Sequence, residues 1–198
     1  MSSIHYYIND IETTGLKRNY HEITEISFIR CEPLVQFTRM IKIRHPENAS
    51  KQAMQITRKN AFDLAKRGEY IEDVIPQANK FIESDGLTPE HRCLVGHNLI
   101  KFDRVWLANE WAKHGHQFPF SLFLDTVALT KQFVKQAGIF APNGFNLGAS
   151  LELLNVNPSP NAHSAGGDSQ SNYSLFKKLQ SQPDLDYLSL IKRIPNGL

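Results

Sequence analysis

The stretch that most constrains this chain is Ile8-Asn9-Asp10-Ile11-Glu12-Thr13-Thr14-Gly15-Leu16, an apolar run that ends in two acids and then a turn. Residues Ile4 to Ile11 are rich in Ile and Tyr and are closed by a glycine, which predicts a strand. Side chains on a strand alternate faces with period two, so Asp10 and Glu12 project from one face at its C-terminal end. Like charges ~4 Å apart repel by roughly 1 kcal/mol in water and by more where water is thin. Two carboxylates so placed need a shared proton or a cation, and a hard divalent ion with oxygen ligands suits them.

Glu22 to Ile29 and Leu34 to Arg44 show the same alternation, which predicts an antiparallel meander at the start of the chain. Lys17 and Arg18 fall in the first connection, one step past the acids, where a basic loop is either solvated or within reach of a phosphate. Residues 46–60 read as irregular or briefly helical, and a helix fits Asp73 to Ser84 with Pro76 in its first turn. Arg92 to Gly96 is a short apolar run of the kind that forms a buried strand. It delivers a second polar cluster, Gly96-His97-Asn98-Leu99-Ile100-Lys101-Phe102-Asp103. This cluster opens a helix that packs through Phe102, Val105, Trp106 and Leu107, so Asp103 faces back toward the strand ends.

A strand at Ser121 to Asp125 and a helix from Thr126 to about Lys135 follow, with Asp125 or Thr126 as its N-cap and Asp125 read as structural. Leu147, Leu151 and Leu154 mark a short helix capped by Asn146. A third polar cluster, Ala162-His163-Ser164-Ala165-Gly166-Gly167-Asp168, precedes an apolar stripe of Tyr173, Leu175, Phe176 and Leu179. Asp168 is thereby placed at a helix start, with His163 in the loop before it. Taken singly, Asp103 reads as a capping acid, Phe102 as core and His163 as a solvated loop residue.

With 198 residues, of which 41% are hydrophobic, the chain can bury a proper core, and one domain is expected over 1–198, its body at 4–180. The tail, 181–198, reads as one short amphipathic helix on Leu185, Leu188 and Ile191. Cys31 and Cys93 are too few for a disulfide framework and lack metal-site spacing, which points to a reducing, cytoplasmic setting. No apolar run approaches the ~20 residues that cross a bilayer, so no membrane partner is expected. The net charge of +2 is uninformative alone, but cations bound to the acids would leave the surface more positive and favour an anionic ligand.

Together the three clusters resemble the DEDD exonucleases of the DnaQ-like and RNase T-like superfamily, in the branch whose last motif carries histidine. Asp10-Ile-Glu12-Thr13-Thr14-Gly15 matches the first motif, His97-Asn98 followed by Phe102-Asp103 the second, and His163-Ser-Ala165-Gly-Gly-Asp168 the third. Three residues separate Asn98 from Phe102, where many members have two. The resemblance implies an α/β, ribonuclease H-like fold, a mixed sheet of about five strands with helices on both faces. It implies 3′→5′ hydrolysis of nucleic acid to nucleoside 5′-monophosphates through two Mg²⁺ or Mn²⁺ ions. Asp10, Glu12, Asp103 and Asp168 would hold the ions, and His163 would act as general base.

The resemblance also implies substrate contacts. The Thr13-Thr14-Gly15 turn would meet the terminal 3′-hydroxyl, Leu16 would wedge against the last base, and His97, Asn98 and Phe102 would line the terminal-nucleotide pocket. The expected partner is a single-stranded 3′ end, DNA and RNA standing equally, with a homodimer or a polymerase partner left open. The alternative is a non-catalytic or polymerase-associated proofreading subunit on the same fold. A decayed copy usually lacks one of these residues, and here all four acids and the histidine are present.

Overall fold

In the computed structural model, which describes residues 4–197, the first three strands form the expected antiparallel meander: β1 (His5–Thr13), β2 (Ile23–Cys31) and β3 (Leu34–Met40). β4 (Arg92–Gly96) and β5 (Leu122–Asp125) continue the sheet in parallel with β1, and β6 (Lys192–Arg193) closes it antiparallel to β5. The sheet has six strands in the order β3-β2-β1-β4-β5-β6, with β1 in its interior.

Between β3 and β4 lie α1 (Lys51–Thr57), α2 (Ala61–Leu64) and α3 (Ile71–Glu83). Then come α4 (Asp103–Lys113), α5 (Thr126–Ala137), α6 (Leu147–Leu153) and α7 (Ala165–Gln180). One face of the sheet packs on α3 and α4 through Tyr7, Ile11, Leu94 and Phe123. The other packs on α5, α6 and α7 through Ile8, Cys93, Val95 and Leu124. Both faces of β4 are therefore covered, which is why its sequence is an unbroken apolar run rather than an alternation.

The buried pair that opens β4 fixes the lower end of the sheet. Arg92 and Asp85 side chains are 2% and 3% exposed with Nη2 and Oδ1 2.7 Å apart, and the Tyr7 hydroxyl of β1 donates to the same carboxylate at 2.7 Å. Against the upward push of burial, the Arg92 guanidinium, the Leu87 amide and the Tyr7 hydroxyl hold Asp85 down at about 2.

Two expectations change. The sheet has six strands rather than five, because the described residues of the tail form no amphipathic helix: a 3-10 turn at Leu188–Leu190 leads into β6. Pro183 and Pro195 bracket this segment, and Ile191 and Ile194 pack on opposite layers of the core, as only an extended chain allows. The edge of β5 gains partners, with the Ile194 amide donating to the Ser121 carbonyl at 2.9 Å. The second change is α3, which starts at Ile71 and so carries Pro76 beyond its first turn. Pro76 is on the exposed face, where water can satisfy the Glu72 carbonyl that loses its amide partner.

Candidate active site

β1 outruns its neighbour β4, and the candidate site lies where it does. The β1–β4 ladder ends at Ile8 and Val95, so the later amides of β1 have no strand beside them on that side. Asp103, the first residue of α4, fills the gap: its Oδ1 accepts the Ile11 amide at 3.0 Å. The acid continues the ladder where the strand stops, and it is 3% exposed. Asp10 and Glu12 face the α7 side of the sheet, as their alternation requires, and meet Asp168 in the first turn of α7. Ligand oxygens of Asp10, Glu12 and Asp168 lie within 4.8 Å of one another.

Electrostatics records the crowding. Burial, and then the charges of Asp103, Glu12 and Asp168, push the Asp10 carboxyl well above the usual carboxylate range. Burial lifts Glu12 to about 7, opposed by the Lys59 ammonium and reinforced by Asp168 and Glu25. Burial lifts Asp103 to about 7 as well, against its backbone hydrogen bonds, including that from Ile11. Asp168 is raised by burial and eased by the His163 amide. Close-set oxygen donors that repel one another fit a hard divalent cation.

The loop before α7 is tightly built. Ser164 caps the helix, accepting the Gly167 amide at 3.1 Å and donating to the Asn161 carbonyl at 2.8 Å. A Cβ on Gly167 would fall 2.0 Å from that carbonyl oxygen, so only glycine lets the loop lie this close. His163 is exposed on the loop with φ 66°, and its amide donates to Asp168 Oδ1 at 3.3 Å.

The turn after β1 is largely occupied with itself. Thr13 Oγ1 donates to the Gly15 carbonyl at 2.8 Å, the Thr14 amide donates to the Glu22 carbonyl, and Thr14 Oγ1 accepts the Glu22 amide. In this turn, expected to meet the terminal 3′-hydroxyl, the Thr14 amide is thus already engaged within the protein. A Cβ on Gly15 would fall 2.6 Å from the His21 ring, which is held by the Lys17 amide. Leu16 projects with 82% of its surface exposed.

Around the second motif, Asp125 caps α5 through the Val127 amide and also accepts the Asn98 and Ile100 amides, a structural role as expected. Asn98 is exposed in a left-handed conformation, φ 63°. His97 has both ring nitrogens engaged, Nε2 with the Phe145 carbonyl at 2.8 Å and Nδ1 with Thr126 Oγ1 at 2.9 Å. Since a carbonyl only accepts, Nε2 carries the proton. Burial lowers the His97 pKa, in keeping with a neutral ring. The ring of Phe102 leans on Trp106 at 5.9 Å, against the core.

Sequence reasoning missed two residues. Glu25 of β2 stands directly across from Glu12 in the β1–β2 register, and Lys59 reaches it with Nζ 2.6 Å from Oε2. The signal for Glu25 was the meander itself, since pairing Tyr7 with Arg30 carries Glu12 to Glu25.

Residues 8–176 match the RNase T family model, described as exonuclease. The chain belongs to this exonuclease family. Family membership implies dependence on divalent metal, which the acidic cluster fits. A curated relative, Exonuclease DPD1, chloroplastic/mitochondrial, of Arabidopsis thaliana, is 25% identical over 193 residues, covering 94% of this chain and 59% of its own. The chain thus spans about three-fifths of that relative. Among solved structures, E. coli Exonuclease I in complex with a dT13 oligonucleotide superposes with TM-score 0.77 at 20% identity, over 94% of this chain and 44% of the other. Cell-death related nuclease 4 (CRN-4) gives 0.75 at 12% identity, over 92% of this chain and 65% of the other. These likenesses establish a common ribonuclease H-like exonuclease fold.

Proposed function

We propose that this exonuclease hydrolyses single-stranded nucleic acid from the 3′ end and releases nucleoside 5′-monophosphates. The observation that carries the reading is the convergence of Asp10, Glu12 and Asp168 within 4.8 Å, with Asp103 outside that group but on the Ile11 amide and acting on Asp10, and with His163 on the loop tied to Asp168. Water attacks the phosphorus between the last two nucleotides, the bond from phosphorus to the penultimate 3′-oxygen breaks, and the last nucleotide leaves with its 5′-phosphate. Two Mg²⁺ or Mn²⁺ ions, when bound, supply a water of lowered pKa and a counter-charge for the departing oxygen.

The chain's own residues do the rest. Asp10, Glu12, Asp103 and Asp168 would hold the ions, directly or through water. An imidazole nitrogen of His163 takes the proton of the attacking water, staying outside the metal ligands to do so. Gly15 lets the turn approach the terminal nucleotide, Leu16 presses on the last base, and Asn98 and Phe102 bound its pocket. Thr13, Thr14 and His97 act by shaping that pocket, since their polar groups are engaged within the protein. The described residues act as one catalytic domain, in the cytoplasm, where free cysteines such as Cys31 and Cys93 stay reduced.

The experiment is digestion of matched DNA and RNA oligonucleotides labelled at either end, with Mg²⁺ or with EDTA. A 3′ label is expected to appear at once as mononucleotide and a 5′ label as a descending ladder, both abolished by EDTA. Immediate mononucleotide from the 5′ label would reverse the polarity. His163→Ala is expected to lower the rate by roughly 10² to 10⁴ with Mn²⁺ affinity retained. A parent-like rate in that variant would remove His163 from the mechanism.

A further inference from the structure

Beside the four acids of the proposed metal set, this end of the sheet carries Asp125, spent on capping α5, and one further carboxylate. That further acid, Glu25, projects from β2 on the same face as Glu12, its directly opposed neighbour. Facing acids on adjacent antiparallel strands have Cβ atoms roughly 5 Å apart and repel. Glu25 is nonetheless 9% exposed, close enough for its charge to raise Asp10, Glu12 and Asp168, and is held in a salt bridge with Lys59. Its second oxygen faces the Gly166 amide at 3.4 Å, two residues before Asp168.

Lys59 does not come from the sheet. It belongs to the connection between α1 and α2, and the way that connection is built aims it. The Ser50 amide, at the start of α1, donates to the Thr14 carbonyl at 2.8 Å, so α1 is hung from the turn that follows the catalytic strand. At the other end Arg58 takes a left-handed conformation, φ 55°, and the Lys59 amide donates to the Met54 carbonyl at 3.1 Å. That reversal sends the lysine back over the sheet, where its side chain is 16% exposed. A non-glycine residue in this conformation carries a local cost, which the surrounding contacts offset.

The charges have a simple consequence. Lys59 cancels Glu25 and leaves Asp10, Glu12, Asp103 and Asp168 to balance two divalent ions. We propose that Lys59 is a positioning residue that withholds Glu25 from the cation pocket, so that the pocket binds metal loosely enough to turn over. With the ammonium removed, Glu25 is free to swing toward Glu12 and become a surplus ligand. The inference rests on the metal-site reading above and adds to it a residue that limits affinity.

The test is Mn²⁺ titration by calorimetry of substrate-free protein, comparing the parent with Lys59→Met, Lys59→Arg and the double variant Lys59→Met/Glu25→Gln. Lys59→Met is expected to bind Mn²⁺ about tenfold tighter or more, an effect of the size that one unit charge exerts at this range in a partly buried site. Lys59→Arg, which keeps the charge, is expected to stay at the parent affinity, and the double variant to return to it. Damaged folding loosens binding and does not tighten it, so the direction separates the two explanations. Parent-like binding in Lys59→Met, or tight binding that survives Glu25→Gln, overturns the inference alone. A parent that binds no Mn²⁺ overturns the metal-site reading and this inference together.

Discussion

Asp10 is the residue at which stability and function pull hardest against each other. Burial and like charges hold its carboxyl far above the usual range, and Glu12 and Asp103 are lifted to about 7. In the unfolded chain such groups titrate near pH 4. Between those values the folded protein binds more protons than the unfolded one, so its stability falls as pH rises toward 7. In EDTA the melting temperature is therefore expected to drop from about pH 5 to about pH 8, and Mn²⁺ at the upper pH to restore it. A melting temperature that rises over the same range would contradict the clustering. Asp10→Asn removes one of the repelling charges. At about pH 8 without metal it is expected to melt a few degrees above the parent, as ~1 kcal/mol gives in a chain of this size, while digestion falls to background.

At the scale of elements, the first turn of α7 is where the loop and the acids are held in register. Gly167 is helical, so alanine there gains up to ~1 kcal/mol of helix preference. Its Cβ, however, meets the Asn161 carbonyl at 2.0 Å and must displace the segment that carries His163. Gly167→Ala is thus expected to lower the melting temperature and, in the protein still folded, to lose about tenfold or more in rate, because misplacement by an ångström is costly to a reaction that depends on orientation. Undiminished digestion would show that the loop position is immaterial.

This level was also the one most legible in the sequence. The strand Arg92–Gly96 and the caps Asp125 and Asn146 fall where local chemistry placed them, because each depends on neighbours in the chain. β6 was hidden because two residues carry no periodicity, and its pairing is decided by the edge of β5. The Lys59–Glu25 contact was hidden for a related reason. Alternation assigns Glu25 a face, but only the cross-strand register and the reversal at Arg58 bring a lysine to it.

For the molecule as a whole, the site depends on a sheet pinned at its opposite end. Asp85→Asn would leave the Arg92 guanidinium buried without its counter-charge, and about 3 to 5 kcal/mol of stability is expected to be lost, read from urea unfolding at neutral pH. Because Asp85 is held at about 2, the contribution of the pair is in place above about pH 4 and fades as pH falls through about 2. A variant as stable as the parent would show that Arg92 finds other partners. The general architecture followed from three motifs in order along the chain, and the extra strand did not, since the tail's leucine spacing fits a helix until Ile191 and Ile194 are seen to serve opposite layers.

The contact between Asp10 on the first strand and Asp168 on the last long helix joins the beginning of the chain to its far end. A nascent polypeptide emerging from the ribosome therefore holds two of its acids long before the fourth is made. On the proposed mechanism it has no competent centre until α7 docks, and a nick or truncation ahead of that helix is expected to leave a fragment unable to degrade the nucleic acid around it.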